Sequence, residues 1–246
     1  MDHPPNMEQT LVSIDRIDST HIRLHSKATL PKEILTNFDF WDVLHSWPNQ
    51  SLWRNFQCDG DGTWIRRGAM RGTLRMVHHG SYMSKIDLTI CYATFIITCV
   101  PIGQKAMGTI LEQSDFADNY RAEGLGAIVG LPILKAATRR LLPYKECLAY
   151  CDNLGIVHHA NRPNKPMSEK QSQGDIIGLI KNYIRELDFE VPCAHFDEVL
   201  QWDQLTDIQK LNGECNTLAK EALLNGIVGQ EFISSCFTFE DIVLNC

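Results

Sequence analysis

No apolar run in this chain is long enough to cross a membrane. The longest, Ile86 to Ile102, is interrupted by Asp87, Thr89, Thr94 and Thr98, and a membrane-spanning helix needs about 20 nearly uninterrupted apolar residues. A basic-then-apolar leader is also missing from the N-terminus. These absences predict a soluble, intracellular protein of the cytoplasm or the nucleus. Positive charge is scarce: 23 Lys and Arg stand against 30 Asp and Glu, for a formal net charge of -7. That balance excludes a broadly basic nucleic-acid binder, because phosphate contacts dominate such affinity, so any nucleic-acid face is local. The nine cysteines include no Cys-x-x-Cys pair, which excludes a zinc ribbon, and their odd number fits a reducing compartment. Internal repeats and low-complexity tracts are absent too.

What is present is enough for a core. With 246 residues, 44% of them hydrophobic, the chain can hold one domain of ordinary size plus extensions. Residues 1–70 read as a lead-in with Pro4, Pro5, Pro31 and Pro48 and the aromatics Phe38, Phe40, Trp41, Trp47, Trp53 and Trp64. Those rings could stack on single-stranded bases or pack on a neighbouring domain. Asp59-Gly60-Asp61-Gly62 has too few oxygen ligands for a calcium loop and reads as a turn. Three β-rich segments follow near 73–79, 86–99 and 105–112, separated by Gly/Ser and Pro/Gly turns. The periodicity then predicts a helix over 118–139, a strand over 146–151, helices over 153–160 and 168–187, a short strand over 189–194 and a last helix over 207–224.

Several segments carry candidate chemistry. Asp118 or Asn119 caps the helix in which Glu123 lies at the edge of an apolar stripe of Ala122, Leu125, Gly126, Val129, Ile133 and Leu134. Cys147-Leu148-Ala149-Tyr150-Cys151 is a short apolar strand that stops at Asp152-Asn153, and ligand sites in α/β sheets gather at the carboxyl ends of strands. Cys147, Cys151, His158 and His159 form a loose zinc-like cluster in sequence, but Cys147 and Cys151 are evenly spaced along the strand and read as small hydrophobes packed on one face. Local basic patches are Arg66, Arg67, Arg71 and Arg75, and Lys135, Arg139 and Arg140. Each patch could also be a solvated face, or, for the second, cations at a helix C-terminus.

Three motifs together resemble the type 1 ribonuclease H domain of retroelement, reverse transcriptase-associated type, over Thr73 to Leu224. "NYRAEGLGAI" resembles that family's first helix, "AYCDNLGIVHHAN" its fourth strand and following helix, and "LNGECNTLAKEAL" its final helix. The resemblance implies an α/β fold with a five-stranded mixed sheet, three antiparallel strands and then parallel ones, flanked by helices. It places the domain over 71–225, with a tail of 226–246 that docks or marks a truncated continuation.

The implied activity is metal-dependent hydrolysis of RNA in RNA/DNA hybrids by a nuclease carrying Mg²⁺, with a nucleic acid as partner. The family's four carboxylate positions fall on His79, Glu123, Asp152 and Asn216, and the strand that normally ends Asp-Gly-Ser here reads His79-Gly80-Ser81. Glu123 and Asp152 are the implied metal ligands, and His195 either matches the family's loop histidine or ends the last strand. Two Mg²⁺ ions about 3.5–4 Å apart clamp the scissile phosphate in such sites. His79 offers one nitrogen and no bridging oxygens, and Asn216 has lost its charge, so Mg²⁺ binding should be weakened, Mn²⁺ tolerated better, and cleavage impaired or lost. Each position also has a plain reading: Glu123 as a solvated helix residue, Asp152 as a turn former, His79 as a polar residue opening a hairpin, Asn216 as a helix-surface residue. The rival function is a non-catalytic structural or nucleic-acid-binding module on the same fold.

Overall fold

The structure, a computed structural model, describes residues 12–16, 22–26, 40–45, 55–85, 88–138, 147–168, 171–187, 191–195, 205–226 and 233–234. The chain divides into two units, Met1–Phe38 and Asp39–Cys246. In the first, strands β1 (Val12–Arg16) and β2 (Ile22–Ser26) form an antiparallel pair with Val12 opposite Ser26.

The second unit is built on three long strands, β4 (Leu74–Lys85), β5 (Leu88–Cys99) and β6 (Lys105–Gln113), which follow the two-residue β3 (Gln57–Cys58). β4 and β5 pair antiparallel from Leu74↔Cys99 to Lys85↔Leu88, and β5 pairs antiparallel with β6. β7 (Leu148–Cys151) adds parallel to β4, and β8 (Cys193–His195) adds parallel to β7. The strand order is therefore β3-β6-β5-β4-β7-β8, with β9 (Ile233–Ser234) also pairing with β6. The run β6-β5-β4-β7-β8, three antiparallel strands and then parallel ones, is the ribonuclease H-like α/β sheet that the resemblance implies. β3 and β9 extend it at one edge.

Helices cover both faces. α1 (Phe40–His45) and α2 (Thr63–Arg71) precede the sheet strands that carry the site, and α3 (Asn119–Thr138) crosses one face. Alternation along β4 decides what each face meets. Met76, His78 and Gly80 face α3: a side chain at Gly126 would press on His78 Cβ at 2.9 Å, and one at Gly130 on Met76 Sδ at 2.6 Å. Gly126 and Gly130 thus let the helix sit close to the sheet. Val77 faces the other way, into a cluster with Ile96, Leu211 and Cys215, beneath α6 (Asp207–Gly226). α4 (Leu154–Ala160) and α5 (Gly174–Glu186) complete the layer with α3, Ile176 of α5 filling the space left by Gly124.

Local chemistry sets the helix starts. Asp118 caps α3, its Oδ1 accepting from Arg121 N at 2.7 Å. Asn153 caps α4 by accepting from Gly155 N and Ile156 N at 3.0 and 3.2 Å. The Asp59–Gly62 segment is a turn: Asp59 Oδ2 accepts from Lys105 N at 2.8 Å and Asp61 Oδ1 from Thr63 N at 3.0 Å.

Two expectations shift. β4 does not end at His79 but runs to Lys85, because Gly80 serves the close approach of α3 and does not turn the chain. α5 starts at Gly174, not 168, after Gln173 in a left-handed conformation (φ 56°) whose Nε2 donates to Phe116 O and Asp118 Oδ2 at 2.8 and 3.0 Å.

Segment 55–71, read as part of the lead-in, packs with the sheet: Trp64, Ile65 and Ala69 are buried, and Phe56 stacks on Phe95 at 6.1 Å. Phe38, Trp47 and Trp53 lie outside the described residues, as does the tail apart from β9. Among the described residues no helix is long and apolar enough to cross a membrane.

Candidate active site

The parallel pairing of β4 with β7 brings the strand position of His79 beside the β7–α4 junction that holds Asp152, and α3 delivers Glu123 from above. Gly80 makes the delivery possible: a Cβ there would collide with the backbone of Ala122 and Glu123. His79 Nδ1 lies 3.3 Å from Glu123 Oε1 and 3.2 Å from Asp152 Oδ2. Neither approach is aligned well enough to make a hydrogen bond for this buried nitrogen, so the contact is chiefly one of charge.

Electrostatics follows from the burial of that trio. Burial pushes the Glu123 carboxyl up to about 8; Asp152 adds to the rise, while His79 and the Gly80 amide oppose it. Burial alone would lower the proton affinity of His79, but Asp152 and the charge of Glu123 outweigh it, with Lys220 of α6 opposing, and the net direction is upward. For Asp152 burial works upward and His79 more than reverses it, leaving the carboxyl below its ordinary value. The three groups share protons and titrate as one cluster.

Asn216 follows Cys215 on α6. Cys215 Sγ donates to Thr94 O at 3.3 Å, and Thr94 is the cross-strand partner of His79. The Asn216 amide oxygen is buried and has no hydrogen-bond partner among the described residues. His195 ends β8 opposite Cys151, and its side chain lies outside the described residues.

The basic patches divide. Arg66 is buried at 2% exposure while Arg67 and Arg71 are exposed, and Arg75 donates to Gly72 O and Leu74 O at 3.2 and 2.7 Å. Lys135 pairs with Glu186 at 2.8 Å, so it is not a free phosphate contact. Arg139 and Arg140 lie outside the described residues.

The first turn of α3 is held by a buried network. Arg121 NH2 meets Glu112 Oε1 of β6 at 2.7 Å and Arg121 NH1 meets Asp175 Oδ2 of α5 at 2.7 Å. This clamp stands two residues from Glu123 and fixes the helix end that carries it.

The sequence gives no reason to single out His78. It is fully buried, with Nδ1 3.1 Å from Glu123 O. The signal that could have found it is the strand alternation, which sends two adjacent histidines to opposite faces of a sheet covered on both. Cys151 is considered in sequence only with Cys147, His158 and His159. In the structure Cys147 and Cys151 are both buried on one face, while the rings of His158 and His159 meet edge to face along α4 with centroids 5.6 Å apart.

No family model and no curated protein sequence matches the chain. Among solved structures, 79 chains match. An RNase H1 isolated from compost by a metagenomic approach is 13% identical, covers 63% of this chain and 98% of its own, and has a TM-score of 0.48. The RNase H1 of the halophilic archaeon Halobacterium salinarum is 12% identical, with 62% and 98% covered and a TM-score of 0.43. The foamy viral protease-reverse transcriptase, solved in complex with dsDNA, is 12% identical, with 61% and 92% covered and a TM-score of 0.45.

Proposed function

We propose that this chain is a retroelement-derived ribonuclease H-like domain in which cleavage of RNA in RNA/DNA hybrids is impaired or lost. The observation that carries the proposal is His79, whose ring nitrogen stands 3.3 and 3.2 Å from the two remaining acids. Where the family pattern expects a bridging carboxylate, this chain has an imidazole. Protonated, His79 itself brings the positive charge that Glu123 and Asp152 would otherwise draw from a metal.

The donors do not fit a pair of Mg²⁺ ions. Mg²⁺ demands near-octahedral oxygen ligands, and the cluster presents one ring nitrogen, two carboxylates and, on α6, a neutral amide. A single transition ion that accepts a nitrogen ligand suits the set better, with Mn²⁺ the closest to Mg²⁺ in its preference for oxygen. What the residues do is hold charge: His79 bridges the acids, and Lys220 adds a further cation nearby. Of the two basic patches, Arg67 and Arg71 are exposed and available for phosphate contact, and with a net charge of -7 hybrid binding is weak and quick to fall with salt, at about -0.9 in log–log slope per phosphate neutralised.

A hybrid-cleavage assay tests the reading. The unmodified chain should be near background in Mg²⁺, with any trace of activity more visible in Mn²⁺. His79→Asp combined with Asn216→Asp should recover measurable cleavage, and either change alone far less, because ligands of a metal pair act as a unit. Robust Mg²⁺-dependent cleavage by the unmodified chain, abolished by Asp152→Asn, would overturn it. Failure of a well-folded double variant would put the non-catalytic scaffold first.

A further inference from the structure

We propose a zinc site on the opposite face of β4 from His79, formed by His78, Glu123 and Cys151. A ring nitrogen of His78, a carboxylate oxygen of Glu123 and Cys151 Sγ all lie within 4.8 Å of one another, and all three residues are buried. Tetrahedral zinc with bonds of about 2.0–2.3 Å sets its ligands roughly 3.3–3.8 Å apart. Closing the site therefore needs side-chain adjustments on the order of 1 Å, within reach of rotations at Glu123 and Cys151.

The hydrogen bonding of His78 points to a ligand. Its Nδ1 lies 3.1 Å from Glu123 O, a contact that requires the proton on Nδ1 and leaves the lone pair on Nε2. A histidine ligand to zinc is characteristically oriented in this way, one nitrogen donating to a carbonyl while the other binds. Nε2 is buried and has no partner among the described residues, and the same is true of Glu123 Oε2. Such orphaned groups are costly to bury, and one cation would satisfy both.

Cys151 supplies the softest donor. Among the described residues its sulfur has a contact from Asn153 N at 3.3 Å and a long one to Asn153 O at 3.9 Å. A thiol buried in apolar surroundings keeps its proton until a metal displaces it. Zinc binding forms the Zn–S and Zn–O bonds as the thiol proton of Cys151 and the proton of the Glu123 carboxyl leave to solvent. A nitrogen, a thiolate and a carboxylate select zinc over Mg²⁺, and the fourth tetrahedral position is open to water. Only Glu123 is shared with the nuclease reading, and the zinc site stands whether or not hybrids are cleaved.

The full chain, stripped with a chelator, is titrated with Zn²⁺ against a chromophoric competitor and separately with Co²⁺. One equivalent should bind, and the Co²⁺ form should show a thiolate charge-transfer band. Cys151→Ser should remove the band and weaken Zn²⁺ by about tenfold or more, His78→Gln should weaken it similarly, and Cys58→Ser, at a free thiol of the edge strand β3, should leave both unchanged. No uptake by the folded chain, or uptake lost in Asp152→Asn but kept in Cys151→Ser, would overturn the site. If the Cys151 and His78 variants do not fold, alkylation of the unmodified chain with peptide mapping decides: Zn²⁺ must protect Cys151 against slow labelling, and equal labelling with and without Zn²⁺ refutes the proposal.

Discussion

Gly80 of β4 and Glu123 of α3 touch backbone to backbone, with no room between them for even a methyl group. Gly80→Ala would push the first turn of α3 off the sheet and carry the Glu123 carboxylate away from His79. Overpacking of this kind costs about 1–3 kcal/mol. Thermal unfolding should show a clear drop in midpoint, whereas Gly103→Ala, whose Cβ would meet nothing nearer than Pro101 O at 3.9 Å, should change little.

Stability should fall as pH rises from the ordinary carboxylate range to about 8. Glu123 is raised to about 8 and His79 is raised above its ordinary value. The stabilisation tied to a raised group is full below its unfolded value and is lost as pH climbs through the folded one. Asp152 is lowered, so its share is present above the ordinary carboxylate value and is lost on acidification. Urea midpoints should therefore peak in mildly acidic solution and decline towards about pH 8. Glu123→Gln should flatten the decline; an unchanged slope in that variant would show that Glu123 does not titrate as described.

Arg121 and Glu112 are both almost fully buried and paired at 2.7 Å. Glu112→Ala leaves the guanidinium with only the partners of its NH1, Asp175 and Gln173, and its Nε and NH2 unpaired, and should cost about 3–5 kcal/mol by equilibrium unfolding. Replacing both partners, Glu112→Met with Arg121→Met, should cost less than the single change, since no uncompensated charge is then buried. A double variant worse than the single would show that the network contributes packing and not charge.

The order of strands and helices is legible because the long elements differ in composition: α3 is a run of small and apolar residues, and β5 is rich in Thr and Ile. The ends of elements are less so. Gly80-Ser81 looks like a turn in sequence, and only the approach of a helix from another part of the chain makes Gly80 a strand residue. The start of α5 depends on Gln173 reaching back to Asp118, a contact 55 residues away in sequence. The trio at 79, 123 and 152 could be located through motif spacing. His78 could not, because its significance lies in a hydrogen bond to a backbone carbonyl that no side-chain pattern encodes, and Cys151 was grouped with neighbours in sequence instead of neighbours in space.

Glu123 has one carboxylate and two neighbourhoods: His79 and Asp152 on one side, His78 and Cys151 on the other. An occupant on either side draws on the same two oxygens, so the two sides are thermodynamic antagonists. Whatever factor by which a cation at His78 and Cys151 weakens binding at Asp152, a cation at Asp152 must weaken binding at His78 and Cys151 by that same factor. A chain engineered to regain an acid at position 79 would therefore acquire a metal-responsive inhibitor in its own core, with zinc lowering the apparent affinity for magnesium in proportion to how fully it holds the shared carboxylate.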